Sequence, residues 1–169
     1  MTGRFLVVRD DRIGDVTLAT PVFRALKESF PGCFTAGLVR PRTKEILEGN
    51  PFVDEILVDD VDGENAGLLG FLKLAKEIRK RKFDAALVLW PSRRNMKLVF
   101  FGGAKKRISF GRKPYQLMYG TGIYMRDKKH LHSPEVENNL DVCRLIGADV
   151  KNKDLVFTLS AEDRNFAAE

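Results

Sequence analysis

Short runs of Val, Leu, Ile and Phe alternate along this chain with longer stretches whose apolar residues recur every three or four positions. The runs read as strands over 4–9, 34–39, 55–58, 83–89, 107–110 and 155–159. The stretches between them read as helices over 16–29, 68–82, 92–101 and 135–146. Leu18, Val22, Leu26 and Phe30 mark the buried face of the first. The second ends in the basic run IRKRK, which suits the negative pole of a helix. Gly102-Gly103 and Gly147 stop the third and fourth. Pro21 either kinks the first helix or opens it after a Thr20 cap. Strands that alternate with helices predict an α/β fold: a Rossmann-like parallel sheet with helices on both faces. Residues 59–67 read as an acidic loop and 111–134 as a long irregular one, a length that is usually functional or mobile.

Composition narrows the partners. The chain has 169 residues, 44% hydrophobic and 31% charged, which is enough for one domain with a real core. No apolar run approaches the ~18 residues of a membrane span, and Met1 to Val8 lacks a secretory pattern, so a cytoplasmic protein is expected. Cys33 and Cys143 lie far apart and read as reduced core thiols. His130 and His132 have no further ligand nearby, so neither a metal nor a cofactor is expected. A net charge of +6 favours anionic partners. Without interleaved aromatic and basic residues, anionic small molecules or lipids rank above nucleic acid, and no nucleic acid partner is expected.

Candidate chemistry collects where strands end. The turn after the first strand reads Asp10-Asp11-Arg12-Ile13-Gly14-Asp15. It is neither a GxGxxG fingerprint nor a Walker A loop, and Asp10 and Asp11 repel a pyrophosphate unless Arg12 intervenes. Asp15 is placed either to take a proton as a general base or simply to cap the helix that follows. Arg40 and Arg42 flank a proline after the second strand, as a fork for phosphate or as an exposed turn. Ser92, Arg93 and Arg94 coincide with a strand end and a helix start, a plausible anion site. Arg112 and Lys113 lie in the long loop and could close over an acidic ligand. Together these positions offer one carboxylate among several cations, which suits deprotonation of a hydroxyl on an anionic acceptor. They do not offer the clustered carboxylates or histidines of metal hydrolysis.

Four segments in order carry a family resemblance. Gly14, Asp15, Val16, Pro21, Ala25, Leu26, Lys27 and Pro31 open it, and Asn50, Pro51, Val53 and Asp54 follow in the second segment. The stretch 83–110 and the run PEVENNLDVCRLIGA at 134–148 complete it. The chain resembles the N-terminal half of the ADP-heptose:lipopolysaccharide heptosyltransferases. The resemblance implies the N-terminal domain of a GT-B glycosyltransferase, with residues 1–159 as the acceptor-side domain and 160–169 starting an interdomain connection. It implies inverting transfer of heptose from ADP-heptose, bound mainly by a second domain, to the lipopolysaccharide inner core or lipid A acceptor. In that scheme Asp15 is the base, Arg12 and Gly14 belong to its loop, and Arg94 touches a phosphate. Arg40, Arg42 and Arg112 lie where acceptor-contacting cations are common. A lipid-linked acceptor implies peripheral contact with the inner membrane. Pro134 stands where the family has a histidine, with His132 two residues earlier, and Asn95 stands where it has a serine. The alternatives are a stand-alone module binding an anionic sugar or nucleotide, with Asp15 only a cap, and a related transferase with another sugar donor.

Overall fold

A computed structural model describes residues 3–111, 113–124 and 134–158. Its strands are β1 (Arg4–Val8), β2 (Phe34–Val39), β3 (Glu55–Val58), β4 (Ala85–Val88), β5 (Lys106–Phe110) and β6 (Gly122–Tyr124). Its helices are α1 (Ile13–Thr17), α2 (Thr20–Ser29), α3 (Gly67–Lys80), α4 (Arg93–Phe101), α5 (Pro114–Tyr119) and α6 (Glu135–Arg144), with a 3₁₀ turn at Pro41–Ile46 after β2. All strand pairs are parallel, in the order β3-β2-β1-β4-β5-β6. This is the Rossmann-like order, which reverses between β1 and β4 and opens a crevice outside their carboxyl ends.

Both faces of the sheet are covered, which is why its central strands β1 and β4 are nearly continuous apolar runs. Phe5 and Val7 of β1 join Val16, Val22, Phe23 and Leu26 of α1 and α2 and Leu140 and Cys143 of α6 on one face. Leu6 and Val8 join Leu74 and Ile78 of α3 and Met96 and Val99 of α4 on the other. Cys33 and Cys143 are free, buried thiols, as expected, and burial pushes the Cys143 thiol far up.

Three expectations change. The helix expected over 16–29 is two, α1 and α2, with Pro21 in the first turn of α2, where its missing N–H has no helical acceptor to lose. Ala19, not Thr20, is the cap residue; the Thr20 hydroxyl donates to Thr17 O (2.8 Å) and accepts from Val156 N–H (3.0 Å). Within 111–134, α5 and β6 are ordered elements, and among the described residues β6, not 155–158, is the sixth strand. Residues 155–158 show the alternation expected of a strand, with Val156 buried between exposed Leu155 and Phe157, but they lie over α2 through the Thr20 bond. His130, His132, Leu159 and the expected connection at 160–169 fall outside the described residues.

At the opposite edge, Asp54 fastens the start of β2. It accepts from Thr35 N–H (2.7 Å) and from Lys27 Nζ (2.6 Å). Burial works against its ionisation, but the Lys27 and Thr35 bonds outweigh it and hold the carboxyl below its usual range. A depressed carboxylate stabilises the fold above its unfolded pKa and loses that contribution as pH falls through the folded value. Asp54→Asn is therefore expected to lower stability near neutrality and to flatten its decline below about pH 4, read from urea midpoints across pH.

Candidate functional site

The residues that leave β1 decide the geometry of the crevice. Arg9 is buried, and its fork is fully used. Nε donates to Asp11 Oδ1 at 2.8 Å, and Nη2 lies 3.0 Å from Asp15 Oδ1. Nη1 donates to Glu135 Oε1 (2.9 Å), Leu89 O (3.1 Å) and Asn139 Oδ1 (3.3 Å). One guanidinium thus gathers three carboxylates from the β1–α1 loop, α1 and α6. Such a buried cation is stable only because its donors are satisfied and its charge is opposed. Burial is the main cause that pushes Asp11 above the usual carboxylate range, Arg9 pulls it back, and Asp15 adds to the rise.

Asp15 keeps 29% of its side chain exposed, against 12% for Asp11 and 4% for Arg9. It lies in the first turn of α1, whose cap residue is Arg12, so it is not the helix cap. Arg12 and Gly14 beside it are exposed. Gly14 has no left-handed φ, and a Cβ built on it meets nothing within 4 Å.

Asp10 points the other way and is buried. Its Oδ1 accepts from Asn95 Nδ2 at 2.6 Å and its Oδ2 from Arg40 Nε at 3.1 Å. Asn95 also donates to Trp90 O at 2.9 Å, so Asp10 ties the ends of β1, β2 and β4 to the start of α4. Arg42 Nη2 donates to Asp11 O at 2.9 Å. Arg40 and Arg42 therefore brace the β1–α1 loop while lining a cleft of about 580 Å³ together with Asp60, Asp62 and Trp90.

Half-exposed Trp90 divides that cleft from a second hollow of about 470 Å³. Phe110, Tyr115 and Gln116 line the second hollow with Arg93 and Lys113. Arg93 and Lys113 each approach the Tyr115 ring to 6.0 Å. Ser92 serves α4 as its N-cap, accepting from Asn95 N–H at 3.1 Å.

The expected constellation of one carboxylate among several cations is thus resolved into three groups. Arg40 and Arg42 sit in one hollow, and Ser92, Arg93 and Lys113 in the next. Asp15 lines neither; it faces Arg9 on the α6 side of the β1–α1 loop. Arg94 is engaged elsewhere. Its Nε and Nη2 grip fully buried Asp59 at 2.7 and 2.8 Å, and Nη2 also reaches Asn65 O at 2.8 Å. A buried carboxylate demands such a partner, so reaching a phosphate would require Arg94 to abandon Asp59. Arg112 falls outside the described residues. Arg9 and Trp90 are site residues that sequence reasoning missed; Asp10 was read only as repelling a pyrophosphate, and Asn95 only as standing for the family's serine. The run Arg9-Asp10-Asp11-Arg12 directly after an apolar strand was the available signal. Among the described residues no group of three His, Cys, Asp or Glu is placed to hold a metal ion, and no helix is long and apolar enough to cross a membrane.

No family model matches the chain. It is 30% identical over 141 residues to a putative glycosyltransferase of Haemophilus influenzae, covering 83% of this chain and 40% of that protein. A family 9 glycosyl transferase from Veillonella parvula superposes with a TM-score of 0.86 at 24% identity, over 99% of this chain and 48% of the other. The E. coli ADP-heptose lipopolysaccharide heptosyltransferase II superposes with a TM-score of 0.74 at 17% identity, over 98% of this chain and 49% of the other. The chain thus spans about half the length of the solved structures it matches, and over nearly all of its own length it is similar to one half of the family 9 glycosyltransferases and has their Rossmann-like fold.

Proposed function

We propose that this chain is the acceptor-side domain, residues 1–159, of a GT-B glycosyltransferase that moves heptose from ADP-heptose onto the lipopolysaccharide inner core. The carrying observation is a part-exposed Asp15 held by buried Arg9 at the strand-order reversal, beside hollows that present Trp90, Tyr115 and four cations. Aromatic faces suit the apolar faces of sugar rings, and the guanidinium groups of Arg40, Arg42 and Arg93 suit acceptor phosphates. In the reaction the acceptor hydroxyl oxygen bonds to the anomeric carbon as that carbon's bond to the diphosphate breaks. The hydroxyl proton passes to the Asp15 carboxylate, ADP leaves with the bonding electrons, and attack from the opposite side inverts the anomeric centre. Most of the ADP-heptose contact belongs to a second domain, and the lipid-linked acceptor puts the work at the cytoplasmic face of a membrane.

The test is sugar transfer by the full-length protein from ADP-heptose to a lipid A core acceptor, with other nucleotide sugars as competitors. Transfer confined to another donor would keep the enzyme class and replace the sugar. Acceptor binding without transfer from any donor would favour the binding module.

Gly14 gives a second check. The fold has room for a side chain there and no backbone need for glycine, so Gly14→Ala is expected to leave stability unchanged or raise it by up to about 1 kcal/mol. If acceptor or donor approaches that backbone, transfer falls by about tenfold or more. Thermal melts and turnover, measured on the same preparation, separate the two effects.

A further inference from the structure

The helical face made by α3, α4 and α5 is unusual for a domain surface. Leu68 and Leu69 are 73% and 83% exposed, Leu72 is 47% exposed, and Phe100 and Phe101 are 40% and 46% exposed. Ring contacts join the aromatic residues of this face into one strip, Phe71 to Phe101 at 6.0 Å, Phe101 to Phe100 at 5.3 Å and Phe100 to Tyr119 at 5.2 Å, and the leucines lie beside Phe71 on the first turns of α3. Between α3 and α4 runs a groove of about 590 Å³, with Leu68, Phe71 and Phe101 on its walls and Arg93 and Lys97 at its rim. Scattered exposed leucines need no explanation, but a contiguous apolar strip marks an interaction surface.

Charge identifies the occupant. Beyond its apolar first turns, α3 carries exposed Lys73, Lys76, Arg79 and Lys80, and α4 adds Arg93 and Lys97. The acid within α3, Glu77, is bound to Lys80 and Arg81, Glu64 of the preceding loop is bound to Lys73, and α4 contains no acid, so Lys76, Arg79, Arg93 and Lys97 carry the positive charge of the face. Apolar side chains that enter an interface, flanked by long cations that stay at its surface, are the pattern of a segment lying on anionic lipid. A second copy of the chain fits poorly, because a two-fold contact would bring two faces rich in exposed lysine and arginine together.

We propose that the α3–α4–α5 face docks on an anionic phospholipid bilayer, with Leu68, Leu69, Leu72 and Phe101 inserted and Lys76 and Lys97 on the headgroups. The helices run opposite to the parallel strands, so the starts of α3 and α4 lie at the edge of the sheet that carries the crevice. Docking therefore brings the Trp90 hollows close to the lipid surface. The proposal does not depend on which sugar, if any, is transferred, because vesicle binding is measured with neither donor nor acceptor present.

The experiment is vesicle flotation of the full-length protein with phosphatidylcholine alone and with phosphatidylcholine rich in phosphatidylglycerol. Binding to the anionic vesicles only is expected. Lys76→Glu with Lys97→Glu, and separately Leu69→Gln with Leu72→Gln, should each reduce it by about tenfold or more. These positions are exposed, so melting temperatures should stay within a few degrees of the parent, which separates lost docking from lost folding. Three results would overturn the proposal: no binding to anionic vesicles, binding that both double variants retain, or a dimer in sedimentation that the leucine variant dissolves while vesicle binding persists.

Discussion

Arg9→Met is expected to cost the domain about 3–5 kcal/mol, a large share of the roughly 5–15 kcal/mol that holds a domain of this kind together. The side chain is 4% exposed and opposes Asp11, Asp15 and Glu135 at once, so its removal leaves carboxylates close together with their shared cation gone. The loss is electrostatic rather than volumetric, because methionine fills much of the same space. Two controls follow from that distinction. Arg9→Lys keeps the charge but not the planar fork, and it should lie between the parent and Arg9→Met in urea midpoint. Adding Asp11→Asn to Arg9→Met should recover part of the loss, because Asp11 is the carboxylate that burial already disfavours as an anion. If Arg9→Met costs under about 1 kcal/mol, the cluster is solvated and the picture of a buried hub is wrong. Arg9 is a positioning residue, since it acts on any reaction through Asp15. A variant that still folds should lower kcat while acceptor binding is kept, a split that mere loss of folded protein does not produce.

How far the molecule was legible before its fold was seen depends on the range over which each signal acts. β1, β2 and β3 were visible at or near their true bounds as short, largely apolar runs, and β5 by Ile108 and Phe110 alternating with polar residues. Ser92 and Gly102-Gly103 marked the ends of α4 by local cap chemistry. β6 was missed because Gly122-Ile123-Tyr124 is too short to show a period, while 155–158 alternates as a strand should and pairs with no strand among the described residues. At the site, the stretches 9–15, 40–42 and 92–94 follow parallel strands and so share one edge of the sheet, as expected. Their partners were not legible: Arg40 meets Asp10 across 30 positions, Arg94 meets Asp59 across 35, and Arg9 meets Glu135 across 126. A cation read from sequence looks free for a ligand until the buried carboxylate that claims it is seen. Arg94 shows this most plainly, because the residue that the resemblance assigned to phosphate is the candidate cation most fully engaged by the fold.

The largest effect on activity is expected from Asp15→Asn. The exchange is isosteric, and the amide oxygen can still accept from Arg9 at the position of Oδ1, 3.0 Å away. Stability should therefore change by about 1 kcal/mol or less, since Asp15 is the most exposed of the three carboxylates on Arg9. What disappears is the capacity to receive a proton as the acceptor oxygen bonds to the sugar. A positioned general base contributes about 10²- to 10⁴-fold, so turnover should fall within that range while acceptor KM stays near its parent value. A matching rise in KM with kcat intact would instead make Asp15 a binding group for the acceptor. Unchanged kcat and KM would leave Asp15 a structural partner of Arg9, and the base would then have to be sought among groups facing the Trp90 hollows, where Asp60 and Asp62 stand. Asp15→Glu separates placement from charge: a carboxylate displaced by one methylene, in the first turn of α1 beside a loop braced by Arg9 and Arg42, should recover less than a tenth of parental turnover by roughly the scale on which a 1 Å misplacement acts.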